Sequence, residues 1–376
     1  MSYLAARFHQ RHQGPIKALA AGHDRIATGG VDGVVHVMTL GGDHVGAATI
    51  ECPINGVALA PDGRVAIAAK DGSVRVYDPA VRRTYSVGDH DHWVMSVAWS
   101  DDGRWIASGS EDGTIGLWEP DGPGVRRVVL GHPVNSIDWV GDLIAAASGD
   151  RKVYLTDGDG SLRRILEGAT QIVWSVRISP DGARIAWTGR DRYLRIAAAD
   201  GGGEPVVAPA HTDQVWGVSW HPDGDRLMTA SADGTVAIWT AGGSLIERVQ
   251  IGSWARGAEM RGETLFVATE TGSVAAFDDD HLTPRRPVAI AVPEPPESCT
   301  HWSPVVLETP RRRCEECDAT EELRLCVSCG HVGCCESQQA HGTKHWLVSG
   351  HPNTVPVGDA PFHWRWCYAD DMYVKR

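Results

Sequence analysis

The 376-residue sequence contains no apolar run approaching the roughly 18 to 20 residues needed to cross a bilayer. Its opening residues, Met1-Ser2-Tyr3-Leu4-Ala5-Ala6-Arg7, lack the continuous hydrophobic stretch of a signal peptide. Cysteine is almost missing from the first 298 residues, where Cys52 stands alone, and the other eight of nine lie beyond. A disulfide-stapled secreted chain would not crowd them so, and clustering beside histidines points to metal in a reducing compartment. Positive charge is also short: 35 Lys and Arg face 48 Asp and Glu, a net charge of −13. That excludes a general nucleic-acid binder, which needs a basic footprint on phosphate. The expectation is a cytoplasmic protein with neither membrane nor nucleic acid among its partners.

What is present is a repeat. A tight turn, usually Asp-Gly, recurs between short apolar strands with its Asp at Asp32, Asp71, Asp112, Asp150, Asp191 and Asp233, and with Thr271-Gly272 in a seventh copy. The intervals of 38 to 42 residues are those of four-stranded propeller blades. Two copies are full: Gly103 to Glu119 and Gly224 to Thr240 each read strand, Asp-Gly turn, strand, with alternating apolar residues. These units resemble WD repeats, in which His, Ser/Thr, Asp and Trp bond to one another inside a blade. The resemblance maps that network onto His90, Ser110, Asp112 and Trp118, and onto His211, Ser231, Asp233 and Trp239. Other copies are degenerate: Tyr77-Asp78 and Phe277-Asp278 replace the Trp-Asp ending, and the fifth ends in Arg195-Ile196-Ala197. The expected fold over residues 1–280 is therefore an all-β seven-bladed WD-repeat β-propeller. Ser2–His9, with Leu4, Ala6 and Phe8 on one face, are expected to complete the last blade beside Val274–Phe277, since an open ring would leave a bare edge.

Aligning the inner strands of the seven units places one residue per blade at the top rim: Lys17, Asn55, Met95, Asn135, Trp174, Trp216 and Arg256. Trp174 and Trp216 fall on adjacent blades, and Arg256 and Lys17 meet where the ring closes. Aromatics flanked by cations suit a peptide anchor; packing over the neighbouring blade is the alternative for the two Trp. From 281 to 296 the period stops and Pro284, Pro287, Pro293, Pro295 and Pro296 mark an extended linker.

The last 80 residues, 297–376, hold two Cys-x-x-Cys pairs, Cys314–Cys317 and Cys326–Cys329, with Cys299, His301, Cys334, His341, His345, His351 and Cys367. Such knuckles present paired thiolates to tetrahedral zinc, and so small a segment is expected to need metal to fold. The spacing resembles the ubiquitin-protease-type (UBP) zinc finger, a small α+β domain. That resemblance implies three Zn2+ sites: Cys299, His301 and Cys367; Cys314, Cys317, Cys334 and His341; Cys326, Cys329, His345 and His351. The family carries a further Cys where this sequence has Asp370, so Asp370 is the expected fourth ligand of the first site; without it the count is two ions, or one site stays open. Members bind the free C-terminal Gly-Gly of ubiquitin in an aromatic pocket, and Trp366, Tyr368 and Tyr373 match its residues. Arg324 replaces an expected aromatic and Glu336 an expected Arg, and a carboxylate facing an incoming carboxylate is repulsive.

The function these features imply is a non-catalytic protein-interaction scaffold. The propeller would hold a protein or peptide, and the finger a second partner such as a ubiquitin-like or other free C-terminal tail. The alternative is a zinc-dependent hydrolase, which requires an open zinc position for water. Metal analysis of the full chain should return three zinc ions. Asp370→Ala should lower that number to two, and an unchanged count would remove Asp370 from the ligand set.

Overall fold

The computed structural model describes residues 12–262 and 264–278, and beyond them the backbone of five strands between 323 and 375. Two compact units divide the chain, Met1–Ala289 and Ile290–Arg376. In the first, seven antiparallel sheets follow one another, each made of consecutive strands in chain order. Six have four strands, and the seventh has three among the described residues. Their inner strands are Ile16–Ala21, Ile54–Leu59, Val94–Trp99, Val134–Val140, Val173–Ile178, Val215–Trp220 and Ala255–Arg261. Neighbouring inner strands lie side by side, and the seventh returns to the first, closing a ring of seven blades. Arg261 secures the joint, donating to the Gly22 carbonyl at 3.1 Å and to the Ala21 carbonyl.

Every inner strand is buried at its first and fourth residues, as in Ile16 and Leu19, Val134 and Ile137, or Val215 and Val218. Strict alternation would bury the first and third. The difference is a β-bulge at the second residue, where the pairing register slips in all seven blades. A bulge re-aims one side chain. Here it carries the second residue out of the blade-to-blade packing, and those second residues are the seven rim positions.

The turn aspartates are the other constant. In six blades the carboxylate accepts the N–H two residues on, from Val34, Ser73, Thr114, Lys152, Tyr193 or Thr235. Its remaining oxygen capacity is met in one of two ways. Asp32, Asp112 and Asp233 take a histidine, His12, His90 and His211, at 2.9 to 3.0 Å. Asp71, Asp150 and Asp191 instead take a long side chain four residues ahead: Arg75 at 2.6 Å, Tyr154 at 2.7 Å, and Arg195 at 2.7 and 3.1 Å. In blades 3 and 6 that fourth residue is Gly116 or Ala237, and a Cβ on Gly116 would stand 2.4 Å from the Trp118 ring. Burial alone would raise the carboxyls of Asp32, Asp71, Asp112, Asp191 and Asp233, but these bonds outweigh it; Asp112 is lowered to about 2.

The hydroxyl of the network needs correction. His90 Nε2 and Trp118 Nε1 both meet Ser108 Oγ at 2.7 Å, and His211 and Trp239 meet Thr229, so neither Ser110 nor Ser231 takes part. Ser108 and Ser110 share a strand face, but only Ser108 lies opposite Gly116, where the Trp ring has room. Ser110 turns back to the His92 and Trp93 carbonyls. His12, which the sequence reading passed over, completes the same arrangement in blade 1 with Thr28 and Asp32.

Five of the turns follow the Asp or Thr with a glycine in the left-handed region, Gly33, Gly72, Gly113, Gly234 and Gly272. Blades 4 and 5 place Arg151 (φ 75°) and Arg192 (φ 72°) there instead, which costs roughly 1–2 kcal/mol each. A third such residue, Arg82, lies in another turn of blade 2.

The expected closing strand, residues 2–9, lies outside the described residues. Immediately after it, His12 N–H donates to the Gly272 carbonyl at 3.0 Å. Ile50, His90 and Ile251 make the same bond to Gly33, Gly72 and Gly234 as the chain leaves the outer strand of its blade. Gly272 has no room for a side chain, since a Cβ would stand 2.6 Å from the His12 and Gly14 carbonyls.

In the second unit the strands form one antiparallel sheet in the order Val332–Cys334, Leu323–Cys326, Asn353–Pro356, Trp364–Cys367 and Met372–Lys375. The helical part expected of that domain and the 281–296 linker lie outside the described residues.

Two outcomes test the ring. Deleting residues 2–9 should lower the melting temperature by on the order of 10 °C, as expected for several kcal/mol in a domain this large; an unaltered scan would refute closure. Arg195→Ala strands Asp191 in a site where both side chains are at most 4% exposed. Urea unfolding should show a loss of about 3–5 kcal/mol, against under about 0.5 kcal/mol if the pair were dispensable.

Candidate functional site

The bulge residues of blades 5 to 7 form one partly buried cluster. Trp174 and Trp216 lie with ring centroids 5.4 Å apart at 34°, and Trp174 Nε1 donates to Gln214 Oε1 of the next blade at 3.2 Å. The Arg256 guanidinium sits 4.4 Å from the Trp216 ring centre and 5.3 Å from that of Trp254. The indoles pack across the boundary between blades 5 and 6, and all three Trp keep part of their surface in solvent.

Arg256 does not present its charge outward. It is 12% exposed and binds Glu270 at 2.6 and 3.3 Å. Burial would raise the Glu270 carboxyl, but Arg256, helped by nearby Lys17, holds it below the ordinary value. Arg256 thus braces the platform, and Lys17 belongs to the same charge cluster where blade 7 meets blade 1. The other rim residues divide by role. Asn55 and Asn135 each donate to the first carbonyl of the next inner strand, Val94 and Val173, at 3.0 Å, stapling blade to blade. A second cation–aromatic contact on this face, Lys70 Nζ 4.2 Å from the Trp93 ring centre, was not anticipated.

The inner strands also place three charges that sequence reasoning missed. At the fifth position blades 1 to 3 carry Ala20, Ala58 and Ala98, whereas blades 4, 5 and 7 carry Asp138, Arg177 and Glu259. Burial pushes both carboxyls up, partly offset by Arg177 beside Asp138 and by Arg261 and Arg177 beside Glu259. Asp138 accepts the Ile178 N–H at 2.7 Å, and Arg177 donates to Ser136 Oγ at 3.2 Å, so both also tie blade 4 to blade 5. The signal was legible in the aligned strands once the bulge set their phase.

None of this forms a catalytic set. The His90 and His211 rings are buried with both nitrogens engaged by Asp and hydroxyl partners. Among the described residues no group of three or more His, Cys, Asp or Glu is placed to hold a metal ion. No helix of the described residues is long and apolar enough to cross a membrane.

In the second unit, Cys326, Cys334 and Cys367 each close a strand of the one sheet. Cys334 pairs with Leu323, so Cys326 sits three residues along the same hairpin, about 10 Å away. Trp366 and Tyr373 are direct cross-strand partners, and Arg324 pairs with Gly333 and Pro356. Cys299, His301, Cys314, Cys317, Cys329, His341, His345, His351, Asp370, Tyr368 and Glu336 lie outside the described residues.

Comparison with known proteins agrees with both units. The family described as a Zn-finger in ubiquitin-hydrolases and other proteins matches residues 314–376. That span begins after Cys299 and His301. The WD domain, G-beta repeat family matches 45–78, 82–119, 160–196 and 204–240. Similar curated proteins include the anaphase-promoting complex subunit cdc20 of Dictyostelium discoideum, 28% identical over 35% of this chain and 27% of that protein. The target of rapamycin complex subunit wat1 of Schizosaccharomyces pombe is 28% identical over 50% of this chain and 64% of its own length. The target of rapamycin complex subunit LST8-1 of Arabidopsis thaliana is 27% identical over 54% and 73%. The chain thus spans less than two thirds of the first two. All three are named as subunits of complexes. The chain is a seven-bladed WD-repeat β-propeller protein with a C-terminal zinc finger of the ubiquitin-hydrolase type.

Proposed function

We propose that this chain is a scaffold with two reading heads, in which the Trp174–Trp216 platform of the propeller holds a protein or peptide and the zinc finger holds a second partner. The observation that carries the first head is the half-exposed indole pair, braced from beneath by Arg256 and Glu270. A rigid aromatic surface gains contact area on binding at little entropic cost, and Trp is enriched among the residues that dominate interfaces. Residues of a plain packing contact would be covered; these keep part of their surface in solvent.

The second head rests on the donor set. Three thiols end strands of one small sheet, and the matched family supplies the remaining spacing. Zinc there, three ions with Asp370 or two without it, would hold the strands together and leave Trp366 and Tyr373 side by side, as a reader of a free C-terminal tail requires. The carboxylate of Glu336 and the guanidinium of Arg324 favour a tail whose terminus differs from that of ubiquitin, because the charge pattern differs from the family's. Closed, all-protein ligand sets disfavour the hydrolase alternative.

The test uses the full chain as bait in lysate from its source. Trp174→Ala with Trp216→Ala should lose a partner that the native protein captures, while the melting temperature falls by no more than about 4 °C, the shift of roughly 1 kcal/mol. A larger fall with loss of every partner would show that the pair only packs. Capture by the second head should vanish on zinc chelation and persist in the double Trp variant.

A further inference from the structure

The aromatic platform has neighbours with an unusual backbone. Of the seven hairpin tips on this face, five carry glycine in the left-handed conformation, but the tips of blades 4 and 5 carry Arg151 and Arg192. Glycine adopts that conformation freely and an arginine does not. Strain of this kind persists where the side chain has a use, and among the described residues these two side chains have almost none. Both residues are exposed. The Arg151 guanidinium makes no hydrogen bond or ion pair among the described residues. Arg192 makes a single weak one, from Nη1 to the Thr212 carbonyl at 3.4 Å.

The adjacent acids are already engaged. Asp150 accepts from Tyr154 and Asp191 is paired with Arg195. Lys152, next to Arg151, is paired with Glu167 at 2.9 Å. Asp213 on the blade 6 loop turns back to the Gln214 N–H at 2.7 Å. Thr212, which Arg192 touches, is two residues from Gln214, whose side chain holds the Trp174 indole. Arg151 and Arg192 thus stand at the hairpin tips of blades 4 and 5, on the face that carries the indole pair of blades 5 and 6, in a chain whose net charge is −13.

We propose that the propeller's top face recognises an acidic peptide segment, with an apolar or aromatic side chain on Trp174–Trp216 and carboxylates at Arg151 and Arg192. This rests on the platform being a binding surface and adds the chemistry of what it binds. Guanidinium forks pair with carboxylates in bidentate geometry. The strain at the two tips is the signature of side chains retained for such a contact.

The experiment pans a phage library of random 12-residue peptides on zinc-loaded full-length protein, with counter-selection against an Arg151→Gly, Arg192→Gly double variant. That variant restores the glycine of the other five blades, so its melting temperature should equal or exceed the native value. Enriched peptides should carry two or more Asp or Glu beside an aromatic. Made synthetically, they should bind the double glycine variant and Trp174→Ala at least tenfold more weakly, and bind more weakly still as salt rises. Peptides that depend on Trp174 but are neutral or basic, or that bind the glycine variant equally well, would overturn the acidic-peptide proposal and leave the platform intact. If no enriched peptide depends on Trp174, the platform reading fails and this one with it. A lowered melting temperature in the glycine variant would show that the arginines serve the fold.

Discussion

The structure depends on satisfying one turn carboxylate in each of six blades, the seventh having Thr271 at that place. The turn aspartate is partly buried at the point where two strands reverse, and an unpaired carboxylate there would be costly. The backbone N–H two residues ahead supplies one bond everywhere. The rest comes either from a histidine arriving from the preceding outer strand or from a long donor four residues ahead. The two solutions trade volume. Where histidine enters over Asp112 and Asp233, the fourth residue shrinks to Gly116 or Ala237; where Arg75, Tyr154 or Arg195 reaches back, no histidine bonds the aspartate. Blade 1 joins the two, keeping His12 with another ring, His36, at that fourth position, centroids 4.8 Å apart. A degenerate repeat is therefore a second way of meeting the same constraint.

The bulge on every inner strand turns this stability into a surface. Without it, the second residue of the strand would follow ordinary alternation between the faces of its sheet. With it, one side chain per blade is delivered to the rim, and its identity is free of the core's demand for apolar volume. The ring spends those seven positions unevenly. Asn55 and Asn135 staple blades together, Arg256 holds Glu270 beneath the Trp216 ring, and Trp174 and Trp216 stack on each other with part of their surface in solvent.

Much of this was legible in the sequence. A period of 38 to 42 residues located all seven blades even where the Trp-Asp ending is missing, because the turn aspartate changes least. The rim series came from aligning the inner strands alone. What failed were questions of local phase. Ser108 and Ser110 look equivalent by alternation, and only the cross-strand glycine distinguishes them. His12 stands 20 residues before its aspartate where His90 and His211 stand 22, so the spacing of the full copies does not point to it. Arg256 looked like a presented charge because Glu270, its partner, lies in the turn just after the neighbouring strand, 14 residues on. Asp138, Arg177 and Glu259 went unread because the bulge changes which residues share a face.

Departures from the repeat also occur in blades 1, 2 and 7, but their weight is uneven. Blades 3 and 6 keep the full His–Ser/Thr–Asp–Trp network, and the largest substitutions gather in blades 4 and 5: Tyr154 and Arg195 as aspartate partners, Trp187 buried where blade 3 has Ser108, Asp138 and Arg177 on the inner strands, and arginine at both left-handed turns. Random loss of the signature would leave the cheapest residue, glycine, at the turns. Instead the two blades accept backbone strain and a buried ion pair. Breaking that pair by removing one partner is far more costly than replacing both, so the pair must be kept or exchanged as a unit. Such a concentration of costs next to Trp174 fits a face shaped for a ligand, with the regular blades carrying the stability that this irregular sector gives up.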